Sequence, residues 1–411
     1  MKSKGFSLWT GKREICRFFF SVLTFSIFLL VYVKYSDIPD RLHPPAPSND
    51  IKMVHKYNID CSPIYNMILE ELSKSLTNRQ KQIVKDNHEN LIYLTLNCSL
   101  FRKVRGYDDV CVSDEEKDFP IAYALVVHKH PWMVERLIRA TYSPSNIYCI
   151  HSDLKSSAQF KAAMEGLAHC LPNVFIASKL ENVIYAGFTR LKADLNCFLD
   201  LLQSEVKWKY IINLCGQDFP LRPNIELVSE LKKLNGANML ETCRPPQFKK
   251  DRYGFHYEVK DADFEYKKLP ARMNVRKAPP PHNIEVFSGS TYFVLSRELI
   301  YRCSFYIWHP IEDTYSPDEY FWATIVRLPG TRLVKWSLLE GSLYPPCTGV
   351  YVCDVCIYGA AEIHWLLNYG HWFANKFNTN VDPIAVQCLE AKLTERNIIF
   401  QSRSSLNCSK G

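Results

Sequence analysis

From Phe119 onward the apolar and polar positions fall into a repeating series. Ile121–His128 (IAYALVVH) is an apolar run closed by a polar residue, the pattern of a strand buried on both faces. Val134–Tyr142 follows with apolar positions at helical spacing, Asn146–His151 (NIYCIH) reads as a second strand, and Ser157–Ala168 as a second helix. The cycle continues through Val174–Ala177, the long helical stretch Phe188–Leu202, the strand Tyr210–Cys215 (YIINLC) and the helix Ile225–Leu234. Strands alternating with helices at this spacing predict right-handed βαβ units, hence an α/β fold with a mostly parallel central sheet flanked by helices. Ligands of such sheets sit beyond the carboxyl ends of the strands. That rule puts Val126–His128, Asp153–Lys155 and Gly216–Phe219 at the mouth of one crevice. From about Asn238 the chain is richer in aromatics, prolines and loops, with short strands such as Ser290–Leu295, and reads as part of the same domain. Ahead of Phe119, Ile64–Leu76 has a helical pattern, and periodicity does not place the rest of that segment.

The N-terminus has a different character. Lys2, Lys4, Lys12, Arg13 and Arg17 precede the apolar run Phe18–Val33, and Lys34 closes it. No small-residue cleavage site follows, so residues 18–34 read as a retained signal-anchor helix with residues 1–17 cytoplasmic. The run is short, which suits the thinner bilayer of the early secretory pathway. The proline-rich stretch after Asp37 cannot form helix or central strand and begins a stem; residues 35–118 are taken as stem and first lumenal segment, and 119–400 as the main domain. Fifteen cysteines, without the doubled C-x-x-C spacing of a zinc module, fit an oxidising lumen. The sequons at Asn97 and Asn407 are compatible with that side of the membrane. Fifty basic against 43 acidic residues give a net charge of +7 with no long basic run, which excludes a nucleic-acid stripe and leaves an anionic nucleotide or glycan as sufficient partner.

Four places carry candidate chemistry. Asp153 with Lys155, just past a strand end, suits a clamp on a base and ribose, or equally a loop cap for the helix beginning near Ser156. Cys215 beside Gly216 has no adjacent histidine to activate it and reads as a small buried hydrophobe. Asp261-Ala262-Asp263 has the D-x-D form of metal-diphosphate sites, but no hydrophobic strand leads into it, so no metal is expected there. Tyr315–Trp322 (YSPDEYFW) sets Asp318 and Glu319 in a proline turn before large aromatics that would hold the turn and offer a sugar platform. Glu319 is the candidate general base, while Ser316 as cap and Pro317 as first helical residue describe the same segment as an ordinary helix start.

Taken together and in order, FPIAYALVVH, NIYCIH, CLPNVFIASKLE, RLKADLNC, WKYIINLCGQDFP, GANMLET, DTYSPDEYFWAT, VCIYGAAE and FANKF resemble the core 2 β-1,6-N-acetylglucosaminyltransferases, mucin-type O-glycan branching enzymes with a GT-A-like fold, over roughly Cys61 to Cys388. The resemblance implies a Golgi type II membrane enzyme that transfers GlcNAc from UDP-GlcNAc in β-1,6 linkage, with inversion and without a metal or other cofactor, to O-glycosylated glycoproteins. A homodimer is compatible with it. It implies that Val126, Val127, His128, Asp153, Leu154, Lys155 and Tyr185 contact the uridine side of the donor, that Lys376 opposes the diphosphate, that Glu241, Lys249 and Arg252 meet the acceptor, and that Glu319 takes the proton from its hydroxyl. It also carries over the disulfides Cys61–Cys388, Cys98–Cys170, Cys149–Cys197 and Cys347–Cys356, with Cys215 as a free thiol. Cys111, Cys243 and Cys303 are left as unpaired candidates. Three departures stand out. Cys353 occupies the family's diphosphate-binding arginine position, leaving Lys335 or Arg332 as substitutes. An insertion is missing between Gly330 and Thr331. Leu338 replaces an acceptor-side tyrosine. Loss of one charge-stabilising donor costs on the order of a hundredfold in rate, so a binding protein of the same fold with little turnover is the rival expectation.

Overall fold

The computed structural model describes residues 57–81, 88–261, 268–280, 284–303, 311–327, 333–335, 347–352, 355–368 and 370–403. The proposed anchor, Arg332, Leu338, Cys353, Asn407, Asp263 and the Gly330–Thr331 junction lie outside them, as do the side chains of Lys335 and Cys303. Among the described residues no helix is long and apolar enough to cross a membrane.

The strands run in chain order as β1 (Ile121–Val127), β2 (Ile147–Ser152), β3 (Val174–Ile176), β4 (Tyr210–Cys215), β5 (Asp218–Pro220), β6 (Asn238–Leu240), β7 (Phe255–Asp261), β8 (Lys268–Arg276), β9 (Val294–Ser296), β10 (Leu333–Lys335), β11 (Val350–Val352), β12 (Val355–Ile357) and β13 (Phe373–Asn375). Seven make one sheet in the order β10-β6-β9-β4-β1-β2-β3. β1 is buried at all seven positions because parallel neighbours flank it, β2 with Val127 opposite Ser152 and β4 with Val126 opposite Cys215. The expected parallel array is therefore present, with one antiparallel member. β9 sits between β4 and β6 and runs against both. It is shorter than the Ser290–Leu295 run read as strand, and two buried asparagines supply bonds at its ends. Asn213 Oδ1 accepts from Phe293 N at 3.0 Å, and Asn238 Oδ1 accepts from Ser296 N at 2.8 Å.

Helices cover the sheet. Phe188–Gln203 packs on β1 and β2, and Asp318–Ile325 packs on that helix through Phe198, Phe293 and Trp322. A second cluster joins Met133, Phe219 and Phe377 to the apolar side of the C-terminal helix Pro383–Arg403. Near the start, Ile64–Leu76 is not one helix: Ser62–Tyr65 ends at Met67, whose φ of 56° is left-handed, and a new helix runs Leu69–Lys81.

All four carried-over disulfides are formed: Cys61–Cys388, Cys98–Cys170, Cys149–Cys197 and Cys347–Cys356. Cys215 and Cys243 are free, whereas Cys111 is disulfide-bonded, which removes it from the unpaired set. Cys61–Cys388 spans 327 residues and joins the first described helix to the last. Replacing both by serine is expected to lower unfolding free energy by about 5–6 kcal/mol, since restoring a loop of that size to the unfolded ensemble returns that much chain entropy; urea denaturation of the paired variant measures it.

Candidate active site

The strand ends gather the expected nucleotide-side residues. Asp153 N donates to Val127 O at 3.0 Å, so the turn after β2 folds across the end of β1. Asp153 is buried, and its Oδ1 accepts from Lys155 N at 3.1 Å and Val183 N at 3.3 Å. The carboxylate thus organises its own turn and the 181–186 loop; the helix beside it is capped instead by Ser157, whose hydroxyl accepts from Phe160 N at 3.2 Å. Lys155 Nζ lies 3.3 Å from Asp153 Oδ2 and donates to Val183 O. Leu154 and Tyr185 stand exposed on these loops, apolar faces open to a guest. His128 is exposed along its outer surface, although burial is the first cause pushing its imidazole down. Lys129, Lys155 and Lys376 push the same way against Asp153, so the neutral ring is secure at pH 7. Those neighbours put Lys376 in the same crevice as Asp153 and Lys155.

Glu319 lies in the first turn of the helix Asp318–Ile325, half-buried. Its Oε2 accepts from Lys249 Nζ at 3.0 Å and from Arg252 Nη1 at 3.4 Å, two cations three residues apart and hence on one face of the helix Gln247–Gly254. The Arg252 guanidinium also lies 4.9 Å from the Tyr315 ring centroid. Glu241, at the end of β6, has its carboxyl raised by burial, with Lys249 opposing and Glu319 adding to the rise. Gly289 lies between these groups. Its N–H donates to the backbone oxygen of Glu319 at 2.8 Å, and a Cβ there would fall 1.8 Å from the backbone oxygen of Glu241, so no other residue fits without moving the backbone that carries Glu241.

The ordinary helix-start reading of this turn is only partly right. Pro317, not Ser316, is the N-cap, and no side chain caps the helix. Ser316 has φ 49° and donates its N–H to Ala186 O at 2.8 Å; Ala186 itself has φ 55°. Two non-glycine residues in the left-handed region, each costing on the order of 1–3 kcal/mol, fasten the Glu319 turn to the residue after Tyr185. The aromatics after it hold the turn but form no platform: Tyr320, Phe321 and Trp322 are all buried. Of the D-x-D residues, Asp261 is exposed at the end of β7, and among the described residues no three His, Cys, Asp or Glu side chains are grouped as metal ligands.

Beneath the turn lies a buried polar cluster that sequence reading missed. Arg190 Nη1 donates to Asp194 Oδ2 at 2.7 Å, and the same guanidinium opposes the rise of the buried Asp318 carboxyl, which burial first, then Asp194 and Glu319, push up to about 6. Arg190 and Asp194 stand four apart in RLKADLNC, a spacing that more often marks a solvated helix face. The cluster extends to Cys215, whose Sγ accepts from Tyr292 Oη at 3.4 Å and Asn375 Nδ2 at 3.3 Å. Part of the Cys215 residue stays accessible, but the sulfur is enclosed by these groups, and burial and then Asp218 push its thiol up to about 12, which rules out a nucleophile. Alongside lies a cavity of about 290 Å³, lined by residues that include Glu241, Tyr292, Trp365, Trp372 and Asn375.

A model of the Core-2/I-branching enzyme family matches residues 121–367. The chain is 51% identical, over 93% of its length and 96% of the relative's, to the Danio rerio β-1,3-galactosyl-O-glycosyl-glycoprotein β-1,6-N-acetylglucosaminyltransferase 4. The chain belongs to the Core-2/I-branching enzyme family. This branching enzyme is also 54% identical to the Mus musculus protein of the same name, over 82% of the chain and 80% of that protein. It is 40% identical to a Homo sapiens β-1,3-galactosyl-O-glycosyl-glycoprotein β-1,6-N-acetylglucosaminyltransferase, over 92% and 95%. It is accordingly a glycosyltransferase.

The raised Asp318 carboxyl gives this branching enzyme a stability signature. Folded, the group keeps its proton up to about pH 6; unfolded, it releases it near the ordinary value of 3.8. Between those values the unfolded state binds fewer protons, so rising pH removes stability, all of it lost once pH passes the folded value. Asp318→Asn cannot ionise and escapes that loss. Thermal melts from pH 4 to pH 7 are expected to show wild-type stability falling relative to the variant between about pH 4 and 6 and running parallel above.

Proposed function

We propose that this glycosyltransferase adds GlcNAc from UDP-GlcNAc in β-1,6 linkage to the GalNAc of core 1 mucin-type O-glycans, with inversion and without a metal, as a type II membrane protein of the Golgi. The observation that carries the reading is the Ser316–Ala186 backbone bond, by which the turn bearing Glu319 and the loop bearing Tyr185 share one junction. The relatives' printed activity supports the same reaction class. Leu154 and Tyr185 offer apolar faces to uracil, and Asp153 and Lys155 meet the ribose. Lys376 opposes the charge that develops on the leaving UDP. Glu319 takes the proton from the GalNAc 6-hydroxyl as that oxygen attacks the anomeric carbon from the face opposite UDP. Lys249, Arg252 and Glu241 hold the acceptor, the two cations meeting its hydroxyls as they now meet Glu319.

The test is a transfer assay on the purified chain with UDP-GlcNAc and a core 1 disaccharide in EDTA. A branched product is expected, and its absence with UDP still bound would instead favour the low-turnover binding protein, the reading motivated by Cys353, Leu338 and the missing loop. Glu319→Gln is expected to cut turnover by about a hundredfold or more while UDP affinity stays unchanged, because that carboxylate works on the acceptor. A mutant with normal turnover would remove Glu319 from the mechanism. Cys353→Arg is expected to raise the rate by restoring a cation opposite the diphosphate.

A further inference from the structure

On the reading above, the sugar attacked at Glu319 is the one joined directly to a serine or threonine, so a single ring separates the acceptor's polypeptide from that carboxylate. A peptide therefore has to run along the enzyme close by. The helix Gln247–Gly254, whose Lys249 and Arg252 reach Glu319, leads straight into the β7–β8 hairpin. That hairpin is a sheet of its own, and its ties are to the segment just ahead of the Glu319 turn. Tyr257 N donates to Asp313 O at 3.0 Å, Tyr315 N donates to Arg252 O at 3.2 Å, and His256 and Lys277 both meet the Asp313 carboxylate. It is thus a fixed extension of the ground beside Glu319.

The extension is basic. Residues 247–261 and 268–277 carry eight lysines and arginines against three aspartates and glutamates, an excess that Glu319 and Asp313 only partly offset. Two of the cations are brought to one aromatic ring: the guanidinium carbons of Arg272 and Arg276 lie 3.8 Å and 5.2 Å from the Phe255 centroid. Both arginines are exposed. Asp251 pairs with Arg272 at 3.3 Å, and among the described residues no carboxylate pairs with Arg276. Like charges gathered on one ring repel until an anion comes between them. Planar guanidiniums present forked donors that match a carboxylate, and stacking on Phe255 fixes them in advance, so less side-chain freedom is lost when it arrives. The donor's diphosphate does not need them, since the crevice at the ends of β1 and β2 has Lys155 and Lys376 of its own.

We propose that Arg272 and Arg276 form a subsite for an acidic side chain of the acceptor polypeptide, close in sequence to the O-glycan, and that the enzyme favours glycopeptides with aspartate or glutamate there. The inference rests on the acceptor reading above. It adds the polypeptide to the glycan as a determinant of which chains are branched.

The test is transfer by the full chain in detergent to the free core 1 disaccharide and to the same disaccharide on a threonine peptide whose flanking residues are acidic, neutral or basic. Wild type is expected to favour the acidic over the neutral peptide by about fivefold in kcat/KM, carried by KM, with the basic peptide poorest. The advantage should shrink at high salt, because exposed ion pairs are screened. Arg276→Ala and Arg272→Ala are each expected to bring the ratio to within about twofold, and Arg276→Glu to reverse it, while transfer to the free disaccharide holds. That last rate reports folding and the Glu319 site in every variant. If one alanine variant loses it, the other decides. Equal use of the three peptides by an enzyme that still branches the free disaccharide, or folded variants that keep the full ratio, would overturn the inference and leave the acceptor reading standing. Failure to transfer to any of the four acceptors would bring down both.

Discussion

Ala186 and Ser316 are held in backbone conformations that residues with a Cβ avoid, and the hydrogen bond between them is what keeps both there. On one side of that contact lies the loop closed by Asp153 and Lys155; on the other, the turn that carries Asp318 and Glu319. The loop has no regular structure to fix its direction, and the turn has only the helix that begins at Asp318. The Arg190–Asp194 pair and Asp318 underlie the junction, and Trp322 and Phe321 anchor the helix behind it, so a local strain is supported from below by burial.

Charge is distributed to match this division. The crevice at the ends of β1 and β2 collects Lys129, Lys155 and Lys376 around a neutral His128, a field that favours an anion. The turn at Glu319 interleaves Lys249 and Arg252 with Glu241 and Glu319, so cation and carboxylate stand side by side there. Burial pushes the Asp318 and Asp218 carboxyls up to about 6, so both shed negative charge as pH falls toward that value.

Much of this was legible in the chain. The strands β1, β2 and β4 announce themselves because a strand buried on both faces needs an unbroken apolar run. Adjacent parallel strands then dictate where the crevice lies, and the four disulfides follow from the resemblance. What did not show has physical causes. A three-residue strand such as β9 has no periodicity to read, and its antiparallel direction depends on Asn213 and Asn238, which look like any polar residues. The sugar platform expected of Tyr320, Phe321 and Trp322 is absent: a run of aromatics does not disclose which way it faces, and all three face inward. Arg190 and Asp194 resembled a solvated pair, since only tertiary packing reveals that both are enclosed. Met67 broke a helix whose apolar spacing continued straight through it.

The bond between Cys61 and Cys388 also has a history in time. A chain made from its N-terminus presents Cys61 long before its partner exists, and 327 further residues must emerge before the correct sulfur arrives. During that interval other thiols made before Cys388 emerge, among them Cys98, Cys111, Cys149 and Cys170, each nearer to Cys61 in sequence. Faithful pairing therefore demands either that those cysteines find their own mates first, which ties maturation to the order in which the residues are made, or that wrong links be undone afterwards by thiol exchange.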